Sequence, residues 1–205
     1  MNQDGGSEAL RCVTPIDAAV LVDYWLAALV GLEEETIEEH LFSCDSCGAR
    51  LREVIALAEG VRLLAREGSL RMVVSDEYVQ RAAREGLRVR QYAPPPGGSV
   101  ECTVTAEDDL LIGRLAANLM GAQRVDLCFC DESGVEQFRM PDIPIQPDAG
   151  GVVYQESMIF AKASPSSSLI ARLVALDEAG AERLLGEYTF HHTRSLPGPG
   201  TWLRI

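Results

Sequence analysis

The segment Glu39–Cys47 reads E-H-L-F-S-C-D-S-C and concentrates metal-type donors within a few residues. His40, Cys44 and Cys47 follow the pattern H-x3-C-x2-C. An imidazole nitrogen and two thiolates are donors that zinc takes in tetrahedral sites, and a two-residue gap lets two cysteine sulfurs reach one metal. The chemistry this predicts is the binding of a structural Zn2+. A bare C-x2-C would suit thiol redox work equally well, but the preceding histidine favours metal, and no βαβ pattern surrounds the pair. A plainer reading stands beside it, in which His40 is a buried histidine and the two cysteines serve as small apolar side chains. Structural zinc sites close with four protein ligands. Cys12 is the first candidate for the fourth, with Asp17 and Asp23 as fallbacks.

The elements around these residues must hold them together. Ile16 to Leu29 is apolar on nearly every face, with Val20, Tyr24 and Ala27 at about one-turn spacing. A helix of that kind is buried or awaits a partner. Gly31 ends it, and Glu33, Glu34 and Glu35 open a second helix where carboxylates favour the positive N-terminal end. The second helix carries His40 near its end, so that His40 and Cys44, four residues apart, share a helical face. A third helix is expected from Cys47 to about Arg66, with Gly60 as a weak point and Arg50, Arg52, Arg62 and Arg66 on its surface. Ser75 reads as the N-cap of a fourth, which Gly86 stops.

The pattern then changes. Tyr92 to Ser99 reads Y-A-P-P-P-G-G-S, which cannot continue a helix and is read as a linker. Beyond it the apolar residues alternate with period two in about seven short strands. These are 100–105, 110–119 with Gly113 as a bulge, 125–130, a return through Phe138, 151–160, 169–175 and 184–192. Asp131–Gly134 and Asp177–Gly180 mark turns. The expected fold class is α+β: a small zinc-binding helical bundle over residues 1–91, a Pro/Gly linker over 92–99, and an all-β sandwich over 100–205.

Composition narrows the function. The 205 residues carry 31 acidic and 18 basic side chains, a net charge of -13. Phosphate backbones repel such a chain, so no direct nucleic-acid contact is expected, and a basic protein partner suits it better. The most apolar stretch, Ala18 to Leu32, carries Asp23 and falls short of the ~20 residues a spanning helix needs. The N-terminal M-N-Q-D-G-G-S-E-A-L has neither a basic nor an apolar region of a signal peptide. A cytoplasmic location follows as the expectation, where closely spaced cysteines are metal ligands or redox groups. Cys128 and Cys130 share one strand face and, with Cys102, are a weaker candidate for such a pair. Asp108 and Asp109 read as the start of a turn. His191 and His192 face opposite sides of a strand and do not suit a shared site. No Ser/His/Asp set, phosphate-cradling glycine loop or paired carboxylates stand out, so an enzyme is not expected.

With these residues in view, the chain resembles the zinc-binding anti-sigma factor family over roughly Cys12 to Glu67. The likeness rests on Y-W-L from Tyr24, on G-L-E-E-E from Gly31, and on E-E-H-L-F-S-C-D-S-C ending at Cys47. The resemblance implies a helical domain that embraces an extracytoplasmic-function sigma factor and blocks its access to RNA polymerase. It implies that His40, Cys44 and Cys47 are family ligands. The family's upstream ligand would fall near Thr14 or Pro15, neither of which binds metal, and Cys12 lies just before them. In membrane-anchored members a transmembrane segment follows, and in soluble members a sensory domain. The implied role is a soluble anti-sigma factor in a stress response, released by thiol oxidation with zinc loss or by a signal at the β-domain. The alternative is a zinc-stapled protein- or ligand-binding module without a sigma partner.

Overall fold

The structure, a computed structural model, describes residues 12–146 and 149–196. It is mixed α and β, with five helices and two sheets among the described residues. The chain divides into two compact units, Met1–Leu63 and Leu64–Ile205.

The first unit is helical. Helix α1, Ala18–Trp25, starts where the Asp17 carboxylate accepts the Ala19 N–H at 2.8 Å. It stops four residues before the expected Leu29. Ala27 takes a left-handed φ of 54°, and the Ala27 and Ala28 N–H groups donate back to Tyr24 and Asp23. That is a Schellman closure with alanine in the place where glycine costs least. Helix α2, Leu32–Ser43, follows Gly31, which acts as its N-cap with φ 62°, and carries the three glutamates in its first turn. Helix α3, Asp45–Arg66, runs through Gly60 without a break. Only Cys44 separates α2 from α3, in an extended conformation that ends one helix and lets the next set off in a new direction.

The core of this unit is small. Ile16, Leu21 and Cys47 are buried, with Val20, Ile37, Leu41, Leu51 and Val54 packed around them. Arg50 ties α3 to the segment before α1 by donating to the Ile16 carbonyl at 2.6 Å, and Arg62 lies 4.2 Å over the Trp25 ring. Helix α1 is not buried all round: Leu21 is its only buried side chain, while Val22 and the following Leu26 are exposed.

The second unit begins in the last turn of α3, so its boundary falls ahead of the Pro/Gly segment. Strand β1 is Met72–Val73, followed by helix α4, Asp76–Arg84, capped by Ser75 and closed at Gly86 with φ 88° as expected. Strand β2, Val89–Tyr92, pairs in parallel with β4, Leu110–Ala116. Residues 92–99 do not act as a spacer. Gly97 donates to the Glu187 carbonyl, Thr189 donates to that of Gly98, and β3, Ser99–Cys102, continues alongside β9. Helix α4 packs through Val79 against Ile112, so it too belongs with the sheets.

The remaining strands are β5, Arg124–Cys130, β6, Glu136–Met140, β7, Gly151–Glu156, β8, Ser167–Leu176, and β9, Glu182–His192. The two sheets run β1-β7-β4-β2 and β3-β9-β8-β5-β6. One core takes Leu115, Val152 and Tyr154 from the first sheet and Leu127, Phe129, Leu173, Tyr188 and Phe190 from the second. The expected strand 151–160 breaks after Glu156, where the Ser157 hydroxyl accepts the Phe160 N–H and starts helix α5, Met158–Ala163. Gly113 is not a bulge, since the pairing runs through it without a shift. Its missing side chain leaves room for the Tyr154 ring, which a Cβ would overlap. Asp131 and Asp177 accept the N–H groups of their turns, as the sequence suggested. Asp108, expected to start a turn, instead ends the one that begins at Thr105, whose N–H its carboxylate accepts, and it pairs with Arg90 at 2.9 Å.

Candidate metal centre

Cys12, His40, Cys44 and Cys47 come together with their ligand atoms all within 4.8 Å of one another, a group that could hold a metal ion. Each position has a local cause. Cys12 lies in the extended segment before α1, which Arg50 anchors through Ile16. His40 sits in the last turn of α2, Cys44 is the joint itself, and Cys47 is in the first turn of α3. The Gly48 N–H donates to the Cys44 carbonyl at 3.0 Å, which closes the turn that brings the two cysteines together.

Of the three candidates for a fourth donor, Cys12 joins the cluster and the two aspartates do not. Its Sγ lies 3.4 Å from His40 Nε2. Asp17 is occupied as the cap of α1, and neither it nor Asp23 joins the cluster. Cys47 is fully buried, and the other three are partly so.

The electrostatics prepare the group for a cation. The Cys47 backbone N–H points at the Cys44 sulfur and is the main cause that brings this thiol down to about 7. Hydrogen bonds from Cys12 and His40 add to it, against the opposing effect of burial. Cys12 is shifted the other way, by burial and then by the neighbouring Cys44 sulfur, as expected when two thiols share one space. A cation there would relieve both costs by letting the sulfurs ionise together.

The other sequence candidates do not assemble. Cys102 is on β3 and Cys128 and Cys130 are on β5, with β9 and β8 between them, so they lie roughly 14 Å apart at the usual strand spacing. Burial pushes Cys102 up to about 11 and Cys128 up to about 12, which marks them as inert apolar fillers. His191 shares a hydrogen bond with the Ser168 hydroxyl at 2.9 Å, while His192 lies in a different environment, in the wall of a cleft. Among the described residues no helix is long and apolar enough to cross a membrane.

No protein-family model matches the chain, and no curated protein matches it. Among solved structures it is similar to the N-terminal domain of phage TP901-1 ORF48, at 12% identity and a TM-score of 0.32, over 52% of this chain and 96% of that one. A likeness that distant carries no argument about either fold or role.

The site draws a contrast with the surface around it. Fifteen large apolar side chains are exposed among the described residues, and nine of them belong to the first unit. Phe42 is 91% exposed, Leu32 81%, Val30 77% and Leu57 70%. Sequence periodicity placed Val22, Leu26 and Val61 on inward faces, because it cannot tell a face buried within the chain from one left outside.

Proposed function

We propose that this chain is a soluble, cytoplasmic anti-sigma factor whose helical unit is closed by Zn2+ and binds an extracytoplasmic-function sigma factor. The observation that carries the reading is the cluster of Cys12, His40, Cys44 and Cys47, which supplies four donors where the family resemblance calls for a closed site. Tetrahedral zinc with Zn–S near ~2.3 Å and Zn–N near ~2.0 Å separates a sulfur from a nitrogen by about 3.5 Å. The Cys12–His40 separation of 3.4 Å fits that spacing. Zinc rather than a harder cation suits three sulfurs and one imidazole.

The exposed apolar residues of the first unit, nine of the fifteen among the described residues, support a protein partner, since apolar side chains left outside in such number suit an interaction site. The net charge of -13 suits a basic surface such as the one a sigma factor turns to promoter DNA. Inhibition would follow from occupancy of that surface, and the role is binding rather than catalysis. The two sheets of the second unit are read as the faces of a β-sandwich, because one core draws on both.

The test is co-expression of the full chain with the sigma factors of its own genome, followed by affinity purification and zinc analysis. Co-purification of one sigma factor, lost on Phe42→Glu or Leu57→Glu with zinc retained, is the expected result. Zinc at one per chain with no sigma factor recovered would overturn the reading. It would leave the zinc-stapled binding module without a sigma partner.

A further inference from the structure

The second unit contains a cleft of about 630 Å³ that the metal centre does not use. That volume is in the range of small-molecule sites, ~300–1,000 Å³. Six aromatic rings line it: Tyr92, Phe129, Phe138, Tyr154, Phe160 and Phe190. All of its lining comes from the second unit.

Two polar groups in its wall have hydrogen-bonding capacity left over. Arg71 stands against the aromatic rings, its guanidinium carbon 4.5 Å from the centre of Phe129, 5.2 Å from Phe138 and 5.5 Å from Phe160. Both of its hydrogen bonds leave from Nε, to the two carboxylate oxygens of Glu156 at 2.8 and 2.9 Å. Its two Nη groups donate to no acceptor among the described residues, although the side chain is only 19% exposed. The second group is His192, whose Nε2 is buried and without a hydrogen-bond partner among the described residues. Burial, and then the neighbouring Arg194, shift this ring below the ordinary histidine range, so it is neutral near pH 7 and Nε2 offers one hydrogen-bonding position. A buried nitrogen is rarely left in that condition, and His192 Nε2 shares its cleft with the spare Arg71 donors, so one ligand could engage both.

Charge decides what kind of ligand would satisfy them. Glu156 accepts from Arg71 and from the Ser157 N–H, and its carboxylate offsets the charge of Arg71. Asp131 and Glu132 add negative charge to the lining. An anion would therefore meet a site that is already acidic on balance. A cation would find its place against the rings taken by Arg71.

We propose that this cleft binds a small uncharged molecule, largely apolar and ring-bearing, that presents a carbonyl-type oxygen to Arg71 and a second polar group to His192. The site stands apart from the metal centre and does not depend on the sigma-factor reading.

A matched pair of fluorescent probes tests it on the full chain. N-phenylnaphthylamine is neutral, and anilinonaphthalene sulfonate is the same ring system with an added anionic group. The neutral probe should saturate a single site, and benzanilide, which carries both an amide oxygen and an N–H, should displace it. The sulfonate should bind the same site at least tenfold more weakly. Leu169→Trp, which places an indole in the cleft, should weaken the neutral probe at least tenfold. Glu156→Gln nearly keeps the shape and removes the compensating charge, so it should improve sulfonate binding severalfold relative to the neutral probe. Near-ultraviolet circular dichroism establishes that each variant is folded. If Leu169→Trp does not fold, Glu156→Gln decides. Neutral-probe binding untouched by a folded Leu169→Trp, or sulfonate binding indifferent to Glu156→Gln, would overturn the proposal.

Discussion

With Zn2+ in the four-donor cluster, as proposed, its removal should melt the first unit and spare the second. Among the described residues the first unit buries only Ile16, Leu21 and Cys47, and a unit of about 60 residues hides so modest a share of its surface that its stability is marginal. A ligand that binds only the folded state stabilises it by about 4 kcal/mol at a thousandfold excess over its Kd. For a unit of this length each kcal/mol moves the midpoint by ~8 °C, so stripping the zinc should lower the transition by about 30 °C. Trp25, stacked under Arg62 in this unit, is the natural reporter. The chain has two tryptophans, so Trp202→Phe leaves Trp25 as the only one. Thermal melts of that variant, with and without a strong chelator, read the first unit through Trp25 fluorescence. The same melts read the second unit through β-sheet circular dichroism. His40→Ala and Cys44→Ser should reproduce the chelated curve. A Trp25 transition that neither chelator nor His40→Ala moves would refute the reasoning, because the unit would then be holding itself together by packing alone.

Three further outcomes are expected. Ala27→Gly should stabilise the first unit by about 1 kcal/mol, because it removes the left-handed strain at an exposed helix end; thermal denaturation of the zinc-loaded protein measures it. Gly113→Val should destabilise the second unit by roughly 1–3 kcal/mol in urea denaturation, since the new side chain must displace the buried Tyr154 ring, and it should also reduce binding in the cleft. Asp109 is held below its ordinary value of 3.8 by hydrogen bonds from Arg88. The unfolded carboxyl therefore takes up a proton before the folded one. Its contribution is complete above about pH 4 and is lost as pH falls through that value and below. Asp109→Asn should flatten this acid limb of the urea midpoint, by no more than ~1 kcal/mol for so exposed a pair.

How much of this was readable beforehand depended on whether the cause was local. Ser75 and Gly86 delimit α4, and the Asp131 and Asp177 turns delimit hairpins, through interactions within a few residues. His40, Cys44 and Cys47 were legible for the same reason. Cys12 was legible only as a candidate, because its approach to His40 depends on Arg50 holding the segment before α1. The Pro/Gly run at 92–99 looks like a spacer to any local rule, yet Gly97 and Gly98 are bonded to β9, far away in sequence. Helix α5 was hidden because Met158–Ala163 continues the apolar run of β7, and a single serine cap decides the outcome. The cleft left no trace at all. Arg71, Glu156 and His192 come from three distant segments and share no spacing that a sequence could display.

The one-residue joint at Cys44 has a consequence for how the first unit tolerates change. Two helices that meet at one donor, with another a turn back and a third a turn ahead, would be fixed in rotational phase by a metal bound to those three atoms. A residue inserted anywhere in Leu41–Asp45 would turn one helix by about 100° about its axis relative to the site. Phe42 and Leu57 would then no longer point as they do now. One apolar side chain on this surface could replace another, but a change in the length of the joint would not be tolerated. The bare outer faces of α2 and α3 are held at a set angular offset by a centre that touches neither of them.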